Sequence, residues 1–143
     1  MITAVLDTNV LLAGFAGVLI PASTPGRILA FWMAGCFQLI MSDPLFDEVA
    51  RNIVKPYFRR RLTASQIAAN LALLANEACF TSITVPVSGV ATHPEDDLIL
   101  ATAISGGADY LVTGDIRLQN LGSYQSVTIL SPRAFLATLT SSS

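Results

Sequence analysis

Residues 92–118 read THPEDDLILATAISGGADYLVTGDIRL. Thr92 and Glu95 fit the S/T-x-x-E capping pattern and Pro94 suits a first helical turn, so a helix is expected from there to Ser105. Leu98, Ala101 and Thr102 fall near one side of it and Ile99, Ala103 and Ile104 near the others, which makes it apolar over most of its girth and largely buried. Gly106 and Gly107 stop it. Tyr110, Leu111, Val112 and Thr113 then form a short apolar run bounded by turn residues, the pattern of a strand covered on both faces. Asp115 follows directly after Gly114, at the carboxyl end of that strand, where open α/β sheets carry their ligands.

The start of the chain repeats the arrangement. Residues 2–6 are another continuous apolar run, ending in Asp7-Thr8-Asn9. If both strands belong to one parallel sheet, two acids project from the same edge. The rest of the chain alternates in the same way. A short helix over 7–13 leads into a loop rich in glycine and proline, and Thr24 with Pro25 opens a helix over 26–34. Residues 37–41 read as a second strand. Ser42 caps a helix over 43–54, in which Leu45, Val49 and Ile53 recur at four-residue steps and Glu48 lies beside that stripe. Pro56 ends it. Thr63 with Gln66 signals the next helix, reaching to Ala78. Residues 80–85 are expected as a third strand near a sheet edge, 86–91 as a loop, 127–130 as a fifth strand, and Ser131-Pro132 as the cap of a last helix to Leu139. The expected architecture is α/β, a five-stranded parallel sheet with helices on both faces, in one domain over 1–139 with a frayed tail at 140–143.

Composition agrees with a single core. The 143 residues are 52% hydrophobic and 13% charged, about half the charge of roughly 25% usual in soluble domains. The surplus apolar surface calls for an oligomer interface or a protein partner. Mean hydropathy is +0.60, so a membrane span needs a check. Residues 8–26 carry no charge, but Gly14, Gly17, Pro21 and Pro25 among them suit a loop between helices better than a span of about 20 apolar residues. No basic segment precedes the first apolar run and Asp7 interrupts it, so neither a signal peptide nor a membrane anchor is expected, and the protein reads as cytoplasmic. Cys36 and Cys79 lack C-x-x-C spacing and are expected as small buried hydrophobes. The net charge is −2, yet Arg51, Lys55, Arg59, Arg60 and Arg61 are five of the eight basic residues. Such a cluster is either a solvated helix end or a contact for phosphates.

Four acids, Asp7, Glu48, Asp97 and Asp115, are candidates for one site. Singly, each has an ordinary explanation as an N-cap, a rim residue or a first-turn acid. Jointly, two strand ends and two helix starts bring them toward one edge of the sheet. Crowded carboxylates repel and raise one another's pKa. A divalent cation relieves that repulsion, and hard oxygen ligands point to Mg²⁺ or Mn²⁺. Zinc is not indicated, because His93 is the single histidine and the cysteines are not spaced as ligands. Two such ions about 4 Å apart activate water and steady the leaving oxygen of a phosphodiester.

Asp7-Thr8-Asn9 after the first strand, Glu48 in the helix after Ser42, Asp96-Asp97 opening an alanine-rich helix, and ADYLVTGD ending at Asp115 resemble the PIN-domain nucleases. The likeness extends through Ile129-Leu130-Ser131-Pro132 and covers nearly the whole chain. Within that family the sequence looks most like the VapC-type toxins of prokaryotic toxin–antitoxin modules. The resemblance implies a PIN-like three-layer sandwich around a five-stranded parallel sheet, a Mg²⁺- or Mn²⁺-dependent endoribonuclease, a homodimer and inhibition by a cognate antitoxin. It assigns Asp7, Glu48, Asp97 and Asp115 as the catalytic, metal-binding quartet, with Asn9, Thr113 and Asp96 in support. Asp97 is favoured over Asp96 because it stands four residues before Ala101, the family's spacing. Thr113 is expected to orient the first carboxylate. Arg117 departs from the pattern, since relatives often carry an acid there, and it joins Arg51, Lys55, Arg59, Arg60 and Arg61 as a candidate RNA contact.

Two other readings stay open. A catalytically inactive domain of this fold that binds RNA or protein is favoured by Arg117 and the low charge. An aspartyl-phosphate enzyme with Asp7 as nucleophile is disfavoured, because Asn9 stands where a second aspartate belongs.

Overall fold

Six strands form one sheet in the computed structural model, which describes residues 1–91 and 93–142. Their order across the sheet is β3-β2-β1-β4-β6-β5. The strands are β1 (Thr3–Leu6), β2 (Gln38–Met41), β3 (Cys79–Phe80), β4 (Tyr110–Val112), β5 (Ser123–Tyr124) and β6 (Val127–Leu130). The five expected strands are all present and mutually parallel. The sixth, β5, is added to the expected five and runs antiparallel to β6. Gln125, at φ 52, supports the tight return between them; a two-strand ribbon needs only such a turn, whereas parallel neighbours need a crossover.

Chain order explains where a site belongs. From β1 the chain steps outward to β2 and β3, then returns across the sheet to β4 on the other flank of β1. The order therefore reverses between β1 and β4, and the crevice at their carboxyl ends is the switch point of an open α/β sheet. The register pairs Leu6 with Val112, so the two strands end level with one another.

Among the described residues eight helices flank the sheet: α1 (Thr8–Gly17), α2 (Thr24–Met33), α3 (Asp43–Ile53), α4 (Pro56–Arg59), α5 (Ala64–Glu77), α6 (Pro94–Ser105), α7 (Ile116–Gln119) and α8 (Pro132–Ser142). α1 packs on α2 and α2 on α8, while α6 lies over β1, β2 and β4 and touches α3. The core between them is mostly apolar, with Leu6, Leu11, Phe15, Ile28, Leu39, Met41 and Phe135 fully buried. Phe37 and Phe135 meet edge to face at 5.2 Å.

Several boundaries move for physical reasons. The helix expected over 7–13 continues to Gly17, because its glycines serve contact rather than a turn. A Cβ on Gly26 would run into the carbonyl of Gly17, and one on Gly14 into the side chain of Leu29. α2 starts at Thr24 with Ser23, not Thr24, as its cap. Pro56 opens the one-turn α4 as well as ending α3. The third strand stops at Phe80, since the N–H groups of Thr84 and Val85 both donate to Ser105 Oγ at 3.0 Å rather than to a ladder. α8 runs on past Leu139 to Ser142, so Thr140 and Ser141 are helical and not a frayed tail; their hydroxyls donate to the carbonyl of Ala137. Both cysteines are exposed, because Cys36 lies in a turn and Cys79 on the edge strand.

The capping box expected from Thr92 and Glu95 lies outside the described residues. That expected from Thr63 and Gln66 is present in both halves. Among the described residues no helix is long and apolar enough to cross a membrane.

Candidate active site

Asp7 stands where β1 gives way to α1, and its backbone N–H donates to the carbonyl of Val112 at 2.9 Å. Its side chain meets the neighbouring strand's end as well. Thr113 is fully buried, and its hydroxyl donates to Asp7 Oδ2 at 2.8 Å while accepting the N–H of Asp115 at 3.1 Å. One side chain thus fixes two acids, using its single proton and a lone pair. The carbonyl of Thr113 is held in turn by Gln119 Nε2 at 2.7 Å. Asp115 caps α7 by accepting the N–H of Arg117 at 2.9 Å.

Glu48 arrives from α3 and Asp96 from the first turn of α6. The two helices are joined by a buried chain of hydrogen bonds. Thr102 donates to the carbonyl of Leu98 at 2.9 Å, so Ser42 must donate to Thr102, also at 2.9 Å. Ser42 Oγ then accepts the N–H of Leu45 and caps α3. Asp7, Glu48, Asp96 and Asp115 line one cleft of about 710 Å³, together with Asn9, Asn52 and His93.

Asp97 does not share this cleft. Its carboxylate accepts the N–H groups of Gly89 at 3.0 Å, Val90 at 3.2 Å and Ala91 at 2.8 Å. Three successive donors converge on it, so it acts as a clasp for the loop that precedes α6. The neighbouring Asp96 takes the place in the cleft expected for Asp97. Adjacent residues at a helix start point about 100° apart, and spacing from Ala101 could not decide which of them turned inward.

Asn52 and His93 escaped the sequence reading. Asn52 lies one turn after Glu48 and donates to its carbonyl at 2.7 Å; that four-residue step is the signal that could have found it. His93 is the N-cap position of α6 but makes no side-chain cap.

Burial raises the pKa of Asp7 above the ordinary carboxylate value. The Thr113 hydroxyl and the nearby N–H groups of Asn9 and Thr8 oppose that shift, and the charge of Asp115 adds to it. The N–H groups do so without closing a cap hydrogen bond. Thr8 is buried beside Asp7 with its hydroxyl unpartnered. A buried unmatched oxygen and a desolvated carboxylate are features that a hard cation would relieve. The donor set thus fits a divalent ion in chemistry. Among the described residues, however, no group of three or more His, Cys, Asp or Glu is already gathered as a cage.

Of the basic candidates, Arg51, Lys55, Arg59, Arg60 and Arg61 are exposed. Arg61 is engaged locally, its guanidinium 3.6 Å from the Tyr57 ring centroid and donating to the carbonyl of Tyr57 at 2.8 Å. Arg117 lies on α7 and lines a small pocket bounded also by Asp96 and Asp115.

Comparison with known proteins agrees with this fold. The fold is similar to that in the crystal structure of VapBC2 from Rickettsia felis bound to a DNA fragment from their promoter, with 14% identity and a TM-score of 0.58 over 91% of this chain and 98% of that one. No curated protein matches the sequence. A family model described as PIN domain matches residues 3–117, from β1 through Asp115 and into α7. Because that match takes in every strand end that bears an acid, the chain belongs to the PIN-domain family.

Proposed function

We propose that this PIN domain is a Mg²⁺- or Mn²⁺-dependent endoribonuclease and the toxin of a toxin–antitoxin module. PIN domains are generally nucleases. The observation that carries the reading is the convergence of Asp7, Glu48, Asp96 and Asp115 on one cleft, with Asp7 desolvated. These four would hold the cation, with Asp96 in the place that sequence spacing assigned to Asp97. The ion, when bound, supplies an activated water and charge neutralisation at the scissile phosphate. Thr113 orients Asp7 by its hydrogen bond, Asn9 and Asn52 offer polar contacts at the cleft wall, and the exposed basic residues near α3 and α4 attract the RNA backbone.

An antitoxin partner follows from the resemblance to VapC-type toxins, and the fold of the VapBC2 complex supports it. Exposed Leu19, Ile20, Val54 and Tyr57 provide apolar surface for that partner or for a second copy of the chain. A cytoplasmic protein meets both RNA and partner there. The second reading, a PIN-fold module that binds RNA or protein without cutting, is favoured by Arg117, which stands where relatives often carry an acid, and by the low charge of the chain.

The test is purified protein with labelled RNA, titrated with Mg²⁺, Mn²⁺ and a chelator beside Asp7→Asn. Cleavage that needs the metal and is abolished by Asp7→Asn is expected. Undiminished cleavage by the variant rejects the assignment, and binding without cleavage under either metal supports the second reading.

A further inference from the structure

The cleft does not end at its four carboxylates. Asp96 and Asp115 also form a wall of a second pocket of about 130 Å³, completed by Val90, Arg117, Leu118 and Leu121. We propose that this pocket is the subsite for the nucleotide adjoining the bond that is cut. Arg117 meets the phosphate of that nucleotide, while Val90, Leu118 and Leu121 form the apolar wall beside its base. The inference rests on the RNA-cleaving reading above and locates where the chain beyond the scissile phosphate goes.

Three observations carry it. The first is continuity, since two residues belong to both cavities and a strand leaving the carboxylates on this side enters the smaller one. The second is charge. Arg117 places a cation beside two acids that would be occupied by metal, and a guanidinium matches phosphate oxygens in a planar fork. The third is rigidity. The backbone of Arg117 is tied to Asp115 at 2.9 Å, and the opposite wall is held by the Asp97 clasp on Val90 and Ala91. Leu118 is buried, whereas Leu121 is 40% exposed and leaves an apolar face open to a base. A pocket with two fixed walls binds one unit of a flexible chain with less ordering cost than an open surface.

The experiment measures binding of a single-stranded RNA oligonucleotide to Asp7→Asn protein across a salt series, with Arg117→Ala and Arg117→Lys built on it. Each phosphate contact on a single strand contributes about 0.7 to the slope of log affinity against log salt. Arg117→Ala is expected to lower the slope by about that amount and Arg117→Lys to keep it, with all proteins folded by thermal melting. In cleavage, Arg117→Ala on the otherwise unchanged protein is expected to raise KM roughly tenfold with kcat nearly constant, as for loss of uniform binding. Leu121→Tyr is expected to alter base preference only at the position next to the cut. An unchanged salt slope in Arg117→Ala overturns the subsite even where the unmodified protein cleaves RNA, as does an effect confined to binding of a protein partner. A reduced slope without cleavage under any divalent metal upholds the pocket as an RNA phosphate contact but overturns its place beside a cut bond together with the catalytic reading. Failure of every protein to bind RNA overturns both.

Discussion

Replacing Thr113 by valine removes one hydroxyl and keeps the shape of the side chain. That hydroxyl donates to Asp7 at 2.8 Å and accepts from the Asp115 N–H at 3.1 Å, at a site with no solvent exposure. Loss of a hydrogen bond to a charged group costs about 1.5–3 kcal/mol, and an unpaired N–H on a partly exposed turn costs about 1 kcal/mol more. The buried methyl returns about 1 kcal/mol. The net expectation is about 1.5–3 kcal/mol at pH 7, or a drop in Tm on the order of 10 °C for a domain of this size. The loss is tied to the charge on Asp7. As pH falls through the raised pKa of Asp7, the bond becomes one between neutral groups worth about 1 kcal/mol, so the penalty shrinks. Urea unfolding of both proteins between pH 8 and pH 4, with a double-mutant cycle through Asp7→Asn, measures it. A penalty of equal size at both ends of that range, or no coupling between the two positions, refutes the reasoning. Cleavage is expected to fall about 10–100-fold, the usual cost of losing a group that orients a metal ligand.

Asp7→Asn separates stability from activity. Because the folded-state pKa of Asp7 lies above its ordinary value, folding takes up a proton between the two values and stability falls as pH rises through the folded pKa. The asparagine variant, measured without metal, is therefore expected to melt higher than the unmodified protein at pH 7 and to lose that advantage near pH 3; a lower Tm at pH 7 counters the desolvation argument. Asp96→Asn is expected to abolish cleavage with little change in Tm, while Asp97→Asn retains cleavage within about tenfold and loses about 2 kcal/mol of stability from the unmade loop bonds; the reverse pattern would restore Asp97 as the ligand. Gly26→Ala, which forces a methyl against the Gly17 carbonyl, is expected to cost about 3 kcal/mol, read as a shift in the urea midpoint. Saturating Mg²⁺ at about 100 times its dissociation constant is expected to add about 2.7 kcal/mol, and the increment should vanish in Asp7→Asn.

The sheet was legible because its strands are short, apolar and followed by acids or turn residues, so residues 2–6 and 110–113 declared both their burial and their ends. Ser42 and Thr63 announced the helices they cap. What escaped reading depended on partners distant in the chain. Gly14 and Gly17 look like breakers until Leu29 and Gly26 are seen against them. Thr84 and Val85 look like strand until Ser105 is seen taking their N–H groups. The choice between Asp96 and Asp97 turned on a loop whose N–H groups needed an acceptor, and nothing in the spacing from Ala101 reports that need.

The bond between Asp7 and Thr113 has a consequence for how the protein is made. The residue that organises the cleft leaves the ribosome 106 residues before its partner, and the strand that shelters it, β4 between β1 and β6, is likewise made later. A nascent chain, or a fragment truncated before residue 113, holds the first aspartate without the hydroxyl that aims it. Whatever chemistry the cleft performs is thereby withheld until the chain through Thr113 has been made and folded.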